Sequence, residues 1–254
     1  MLAPHPSVGF YYLRDTNLLP RILPELCMMD VIEKRDGRAH KNNYEHTLEV
    51  LENICRHTDN LWLRWAALLH DIGKPRSKRW DPKAGWTFHN HNVIGARMVP
   101  EIFRRLKLPM DAKMKYVRKL VDLHMRPIVI ADSEVTDSAV RRLLNDAGDD
   151  IEDLMMLCEA DITSKNAVRK QRFLDNFQLV RAKLADLKER DYKRLFQPCI
   201  DGNEIMSLFG LTPCREVGEL KMALKNAVLD NQVENERAPL LLLLKRKAIE
   251  LGLE

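Results

Sequence analysis

Three features of the sequence predict an all-α fold. Strand-type alternation is nearly absent. Apolar residues recur instead at spacings of three and four, the period of one helical face. Helix start and stop signals bracket these stretches: Asn42-Asn43, Asp59-Asn60 and Asp201 with Glu204 at the starts, Gly73 and Pro198 at the stops.

Taken in order, residues 1–30 read as short helices broken by Pro4, Pro6, Pro20 and Pro24. Residues 33–40 are polar, contain Gly37 and read as a loop. A helix follows from Asn42 or Asn43 to about His57, with Tyr44, His46, Leu48, Leu51 and Cys55 facing inward. Asp59-Asn60 caps the next helix, predicted to end at Asp71 with Gly73 as its C-terminal stop. Residues 74–88 are basic and contain Pro75, Pro82 and Gly85; Trp80 and Trp86 flank a turn, giving a loop or short hairpin. Helices are expected over 90–106 and 112–125, the second terminated by Arg126-Pro127. Asp132 or Ser133 caps a helix from about Glu134 to Ala147. Gly148-Asp149-Asp150 breaks that helix and caps one ending at Asp161. A long charged helix over about 166–190 packs through Phe173, Phe177, Val180, Leu184 and Leu187. Asp201 and Glu204 form a capping box, and Thr212-Pro213 starts the next helix with a cap and a proline at its first position. The last helix spans about 236–251.

Several metal-type ligands interrupt these apolar stripes. His46 precedes Val50 and Ile54 at helical spacing, and His70 follows Leu63, Ala66 and Ala67. His91 shares a face with Ile94, Met98 and Ile102; His124 ends the stripe of Val117, Leu120 and Val121; Asp161 continues Leu154 and Cys158. A buried carboxylate without a partner costs on the order of several kcal/mol unless it is protonated, paired or bound to a cation. Two readings therefore stand side by side. Each His is a hydrogen-bonded core residue and each Asp pairs with a basic side chain, or the set shares a cation. Imidazole with carboxylate suits Ni, Co, Mn, Fe or Zn rather than Ca, with Mg as a further candidate.

Composition sets outer bounds. A chain of 254 residues with 45% hydrophobic content buries a substantial core, and a net charge of +4 suits a phosphate-bearing substrate without itself indicating nucleic acid. The five cysteines are scattered and lack a C-x-x-C pair, which argues against a disulfide framework or Cys-zinc knuckle. They read as reduced packing residues of a cytoplasmic protein. No signal peptide is evident, and the apolar run Leu240–Leu244 is far shorter than the roughly 20 residues that span a bilayer. No membrane partner is expected.

The order His46, His70-Asp71, His91, His124, Asp161, with His70-Asp71-Ile72-Gly73-Lys74 and His91-x-x-x-Gly95, resembles the HD superfamily of metal-dependent phosphohydrolases. That resemblance implies an HD-domain helical bundle. It implies His46, His70, Asp71 and Asp161 as metal ligands, Asp71 and Lys74 as catalytic residues, and His91 and His124 as ligands of a second metal or of the substrate phosphate. Phe88-His89-Asn90-His91, Lys107-Leu108-Pro109 and Leu120-Val121-Asp122-Leu123-His124-Met125 are similar to the HD domain inside bacterial tRNA nucleotidyltransferases, the CCA-adding enzymes. Residues 18–26 resemble the segment before that domain, and residues 200–213 the helical tail after it. Arg141 and Arg142 match a neighbourhood that carries an Arg in that family and are weak phosphate candidates. Lys74 belongs to the motif, whereas Arg76, Lys78 and Arg79 read as a solvated basic loop.

The expected organisation is an N-terminal helical segment (1–35), the HD metal-binding domain (36–190) and a C-terminal helical tail (191–254). The expected reaction is hydrolysis of phosphoester bonds in nucleotides or RNA 3′ ends, including 2′,3′-cyclic phosphates. The alternative is the tRNA-binding HD and tail portion of a CCA-adding enzyme. Neither the Gly-Ser nucleotide loop nor the Asp-x-Asp pair of the nucleotidyltransferase head is present in the sequence. The chain is therefore expected not to add CCA by itself, and a separate head is an expected partner.

Overall fold

The computed structural model describes residues 1–40, 42–132, 136–164, 166–230 and 232–253. It is all-α, with 68% helix against 4% strand, and divides into two compact units, Met1–Leu184 and Ala185–Glu254.

The first unit opens with α1 (Pro6–Asp15), α2 (Leu19–Ile22) and α3 (Pro24–Cys27). Residues 1–30 do form short helices, and Pro6, Pro20 and Pro24 mark their starts, each at the first or second position of one helix. The N–H that proline lacks has no intrahelical partner there. The predicted loop at 33–40 contains a small hairpin, β1 (Lys34–Arg35) with β2 (Arg38–Ala39). Asp36 and Gly37 both take positive φ, 50° and 73°, the backbone that a two-residue hairpin turn requires.

Next come α4 (Asn43–Cys55) and α5 (Leu61–Leu69). The side chain of Asn42 accepts from Glu45 N–H, and that of Asn60 from Trp62 and Leu63 N–H, so both expected starts hold. The short α6 (Lys74–Ser77) leads into a second hairpin, β3 (Arg79–Asp81) with β4 (Gly85–Thr87), in which Trp80 faces Trp86. Then follow α7 (His91–Arg105), α8 (Ala112–Leu123), α9 (Met125–Asp132), α10 (Asp137–Ala147), a 3₁₀ turn at Gly148–Asp150, α11 (Ile151–Ala160) and α12 (Ala167–Leu195). The core forms where α4 packs on α5, α5 and α7 on α8, and α11 on α4 and α5. Leu51, Ile54, Leu63, Leu68, Ile102, Phe103, Leu120 and Leu154 are fully buried there. Each such side chain stabilises the fold by about 1.5–3 kcal/mol.

Other boundaries differ from expectation. Arg126-Pro127 does not end a helical stretch; Pro127 sits in the first turn of α9, where its missing N–H again goes unneeded. The helix α10 starts after Thr136, whose hydroxyl accepts from Ala139 N–H, whereas Asp132 is the last residue of α9. Ser133 and Glu134 lie outside the described residues. The second unit consists of the end of α12, α13 (Gly202–Phe209), α14 (Arg215–Leu229) and α15 (Arg237–Glu250) around Ile205, Leu220, Leu224, Leu240 and Leu244. Asp201 caps α13 as expected, but Glu204 pairs with Arg237. Thr212-Pro213 does not open α14: Cys214 is extended and delays the start to Arg215. No helix among the described residues is long and apolar enough to cross a membrane.

Candidate metal centre

Five helices deliver the polar residues that the sequence places on apolar stripes. His46 sits in the first turns of α4, and His91 is the first residue of α7. His70, His124 and Asp161 are the C-terminal cap residues of α5, α8 and α11. The carbonyl ends of those helices thus converge on one point, and their dipoles favour a cation there. The helix α5 stops at Leu69 rather than Asp71. A tight turn follows, with Ile72 N–H donating to Leu69 O at 3.1 Å and Lys74 N–H to Asp71 O at 2.9 Å. It turns the Asp71 carboxylate inward, where it is 2% exposed.

Gly73 is a glycine for a reason other than the one expected. Its φ is −80°, a value any residue adopts. A Cβ there would instead lie 2.1 Å from His91 O and 2.6 Å from Gly95 N. The turn presses directly on the backbone of α7, which places Asp71 beside His91.

The histidine rings are oriented by their other nitrogen. Nδ1 of His70 lies 2.8 Å from Ala67 O, that of His91 2.8 Å from Phe88 O, and that of His124 2.7 Å from Val121 O. A carbonyl only accepts, so each Nδ1 carries the proton and each Nε2 is directed at the shared space. His46 Nδ1 bonds Thr163 Oγ1 at 3.0 Å.

Nε2 of His46 stands 2.8 Å from Asp161 Oδ1 and 3.6 Å from Asp71 Oδ2; Nε2 of His70 stands 3.2 Å from Asp71 Oδ2 and 3.6 Å from Asp161 Oδ1. On the other side of Asp71, Oδ1 lies 3.2 Å from His91 Nε2 and 3.8 Å from His124 Nε2, and those two nitrogens are 3.2 Å apart. Asp71 therefore belongs to two groups able to hold a metal, His46–His70–Asp71 and Asp71–His91–His124. Asp161 extends the first.

This donor set fits a divalent transition metal. Ligands at roughly 2.0–2.2 Å from one ion stand about 3–3.5 Å from each other, and the separations here, 2.8 to 3.8 Å, bracket that span. His70 Nε2 is buried with no partner in hydrogen-bond geometry. A buried polar atom left so is costly, and a cation would satisfy it.

In the metal-free protein the charges are strongly coupled. Burial would lower the His70 pKa, but Asp71 and Asp161 outweigh it and raise it to about 10. Burial would raise the Asp71 carboxyl, yet His70 and Lys74 hold it well below the usual range. Asp161 is pushed up by burial and held low overall by its hydrogen bond with His46 and by the nearby charge of His70. Burial, with the neighbouring His70 charge, lowers His124 to about 4. Lys74 Nζ donates to Asp71 Oδ2 at 2.5 Å; burial would lower its pKa, and Asp71 raises it.

The structure thus brings His46, His70, Asp71, Lys74, His91, His124 and Asp161 into one cluster. Arg141 and Arg142 are exposed on α10 and do not join it. Lys78 ties the two hairpins together, contacting His40 at 2.7 Å and Glu33 at 3.0 Å beneath Trp86. Thr163 was not singled out from the sequence; a hydroxyl two residues beyond Asp161 gives no periodic signal.

Residues 43–166 match the HD domain family. The chain carries an HD domain. Its cluster accordingly has the character of the metal-dependent phosphohydrolase superfamily. The HD domain and tail are homologous to bacterial tRNA nucleotidyltransferases. The A-adding tRNA nucleotidyltransferase of Deinococcus radiodurans is 34% identical over 89% of this chain and 51% of its own length. The CC-adding tRNA nucleotidyltransferase of Thermus thermophilus is 30% identical over 95% of this chain and 54% of its own. The Multifunctional CCA protein of Ectopseudomonas mendocina is 35% identical over 44% of this chain and 27% of its own. The chain spans about half the length of the first two relatives.

Proposed function

We propose that the HD domain hydrolyses phosphoester bonds of nucleotides or RNA 3′ ends, with 2′,3′-cyclic phosphates as the leading substrate class. The observation that carries this reading is the double role of Asp71. One carboxylate oxygen faces the His46–His70 side and Lys74, the other faces His91 and His124. His46, His70, Asp71 and Asp161 would hold one metal, and His91 with His124 a second metal or the phosphate. The cation, when bound, supplies Lewis-acid polarisation of a phosphoryl oxygen and acidification of water.

The chain's own groups do the rest. Backbone carbonyls anchor Nδ1 of His70, His91 and His124, and the Thr163 hydroxyl anchors that of His46, so the rings are aimed before substrate arrives and little reorganisation accompanies reaction. Lys74 is the most exposed member, its side chain 20% accessible against 17% for Asp161. Its ammonium offsets the charge that develops on the phosphoryl oxygens. His91 is at the N-terminal end of α7, where the helix dipole favours an anionic phosphate.

The test is hydrolysis of 2′,3′-cyclic AMP by the purified chain with Ni, Co, Mn, Mg or Zn added in turn, beside Asp71→Ala. Turnover that requires a metal and disappears in the variant is expected. A folded protein inactive with every metal would overturn the assignment.

A second reading has its own support, because the similarity to tRNA nucleotidyltransferases continues beyond the HD domain across nearly the whole chain. In it the chain is a tRNA-binding HD and tail portion that works with a nucleotidyltransferase head. Tight tRNA binding that falls steeply with salt, without hydrolysis, would favour this reading.

A further inference from the structure

A cavity of about 330 Å³ adjoins the centre and is unused by the chemistry above. Asp161 belongs to both: it lines the cavity, and its Oδ1 stands 2.8 Å from His46 Nε2. Thr163 also belongs to both, lining the cavity and bonding His46 Nδ1 through its hydroxyl. Ser164 adds a second hydroxyl to that wall. The apolar wall comes from α12 through Phe173, half-buried, and Phe177, buried. Cys158 also lines it, with its thiol donating to His124 O at 3.0 Å.

We propose that this cavity is the nucleoside subsite of the centre. The base lies against the Phe173 ring, the Thr163 and Ser164 hydroxyls meet sugar or base edges, and the phosphoester reaches Asp71 and Lys74. The inference rests on the phosphohydrolase reading and goes beyond it by locating where the nucleoside half of the substrate is held. The match is chemical. A nucleobase has apolar faces and a polar edge, and the cavity offers an aromatic wall beside paired hydroxyls. Its volume lies in the range of small-molecule sites. It touches the catalytic cluster through a shared carboxylate, so a ligand seated in it is tethered next to the reacting bond. Every base has a π-face, so stacking gives affinity with little selection among bases. Adenine, guanine, cytosine and uracil substrates should therefore be turned over at similar rates.

The test separates the nucleoside from the phosphoester. Phe173→Leu keeps apolar volume and removes the ring; Phe173→Trp restores an aromatic face. Ser164→Ala, a small change in a loop, serves if either fails to fold. With the metal-loaded chain, Phe173→Leu should raise KM for 2′,3′-cyclic AMP about tenfold with kcat within about twofold, and Phe173→Trp should recover most of the loss. Glycerol 1,2-cyclic phosphate carries the same cyclic diester without base or ribose, and its turnover should be unchanged in every variant. Adenosine binding to the metal-free chain, followed by saturation-transfer NMR, should weaken in Phe173→Leu. Equal effects on both substrates, or none on KM and adenosine binding, would overturn the subsite while leaving hydrolysis intact. Absence of turnover on either substrate, with adenosine binding still dependent on Phe173, would remove the hydrolytic reading and keep the nucleoside site.

Discussion

Gly73 and Gly95 bring two backbones into direct contact: a Cβ on Gly73 would lie 2.6 Å from Gly95 N, and one on Gly95 would lie 3.4 Å from Gly73 N. This approach seats the turn bearing Asp71 against the first turn of α7 bearing His91. Gly73→Ala must move backbone, since His91 O is 2.1 Å from the new carbon. Overpacking against rigid neighbours costs about 3 kcal/mol, and denaturant unfolding should show a loss of that size. Gly95→Ala meets mainly side chains, Val121 at 3.2 Å and Ile72 at 3.4 Å, and should cost about 1 kcal/mol. Equal losses in the two variants would contradict the backbone contact.

Metal binding should reveal the sharing of Asp71. Asp71→Ala removes a donor from both groups and should abolish measurable binding in calorimetry. His124→Ala touches only the Asp71–His91–His124 group. It should leave binding at His46–His70–Asp71 within about tenfold of the parent, since outer partners tune affinity by about 10–100-fold. If both variants lose all binding, the groups are not separable.

Lys74 carries a kinetic prediction. Lys74→Met removes the ammonium beside Asp71 and should lower kcat about 10²-fold with a smaller change in KM, the signature of charge stabilised mainly in the transition state. A change confined to KM would make Lys74 a substrate anchor.

The pH dependence of stability in the chelated protein follows from two histidines of opposite sign. His70 has a folded pKa of about 10 against about 6.5 unfolded. Its contribution is therefore complete below about 6.5 and lost as pH rises towards 10. His124, at about 4 in the folded protein, is protonated first in the unfolded chain, so stability falls as pH drops from about 6.5 to 4. The lowered Asp71 and Asp161 carboxyls contribute above about 3.9, and that contribution is lost at lower pH. Tm measured in chelator from pH 3 to 10 should peak near pH 6.5, and His70→Gln should flatten the alkaline limb. A Tm that keeps rising from pH 7 to 10 would contradict this charge assignment. Metal affinity should instead rise with pH, because the ligands bind deprotonated.

The all-α class and the identity of the clustered residues were legible in the sequence, because both depend on local order. Periodicity assigns His46, His91 and Asp161 to inward faces, and Asn42 and Asn60 are strong caps whatever the surrounding fold. The Asp36-Gly37 turn is equally local, but the sequence shows only a loop there, since two-residue strands carry no alternation to detect. Pro127 misled for a related reason: proline marks a helix start as readily as a stop, and only the backbone distinguishes them. The sequence by itself determined which polar residues would lie on apolar faces and needed compensation. Tertiary structure alone decided that Asp71 belongs to two groups, that Gly73 is glycine for closeness rather than for φ, and that Thr163 bonds His46. Those are distances between elements far apart in the chain, set by how whole helices pack and not by any period within one of them.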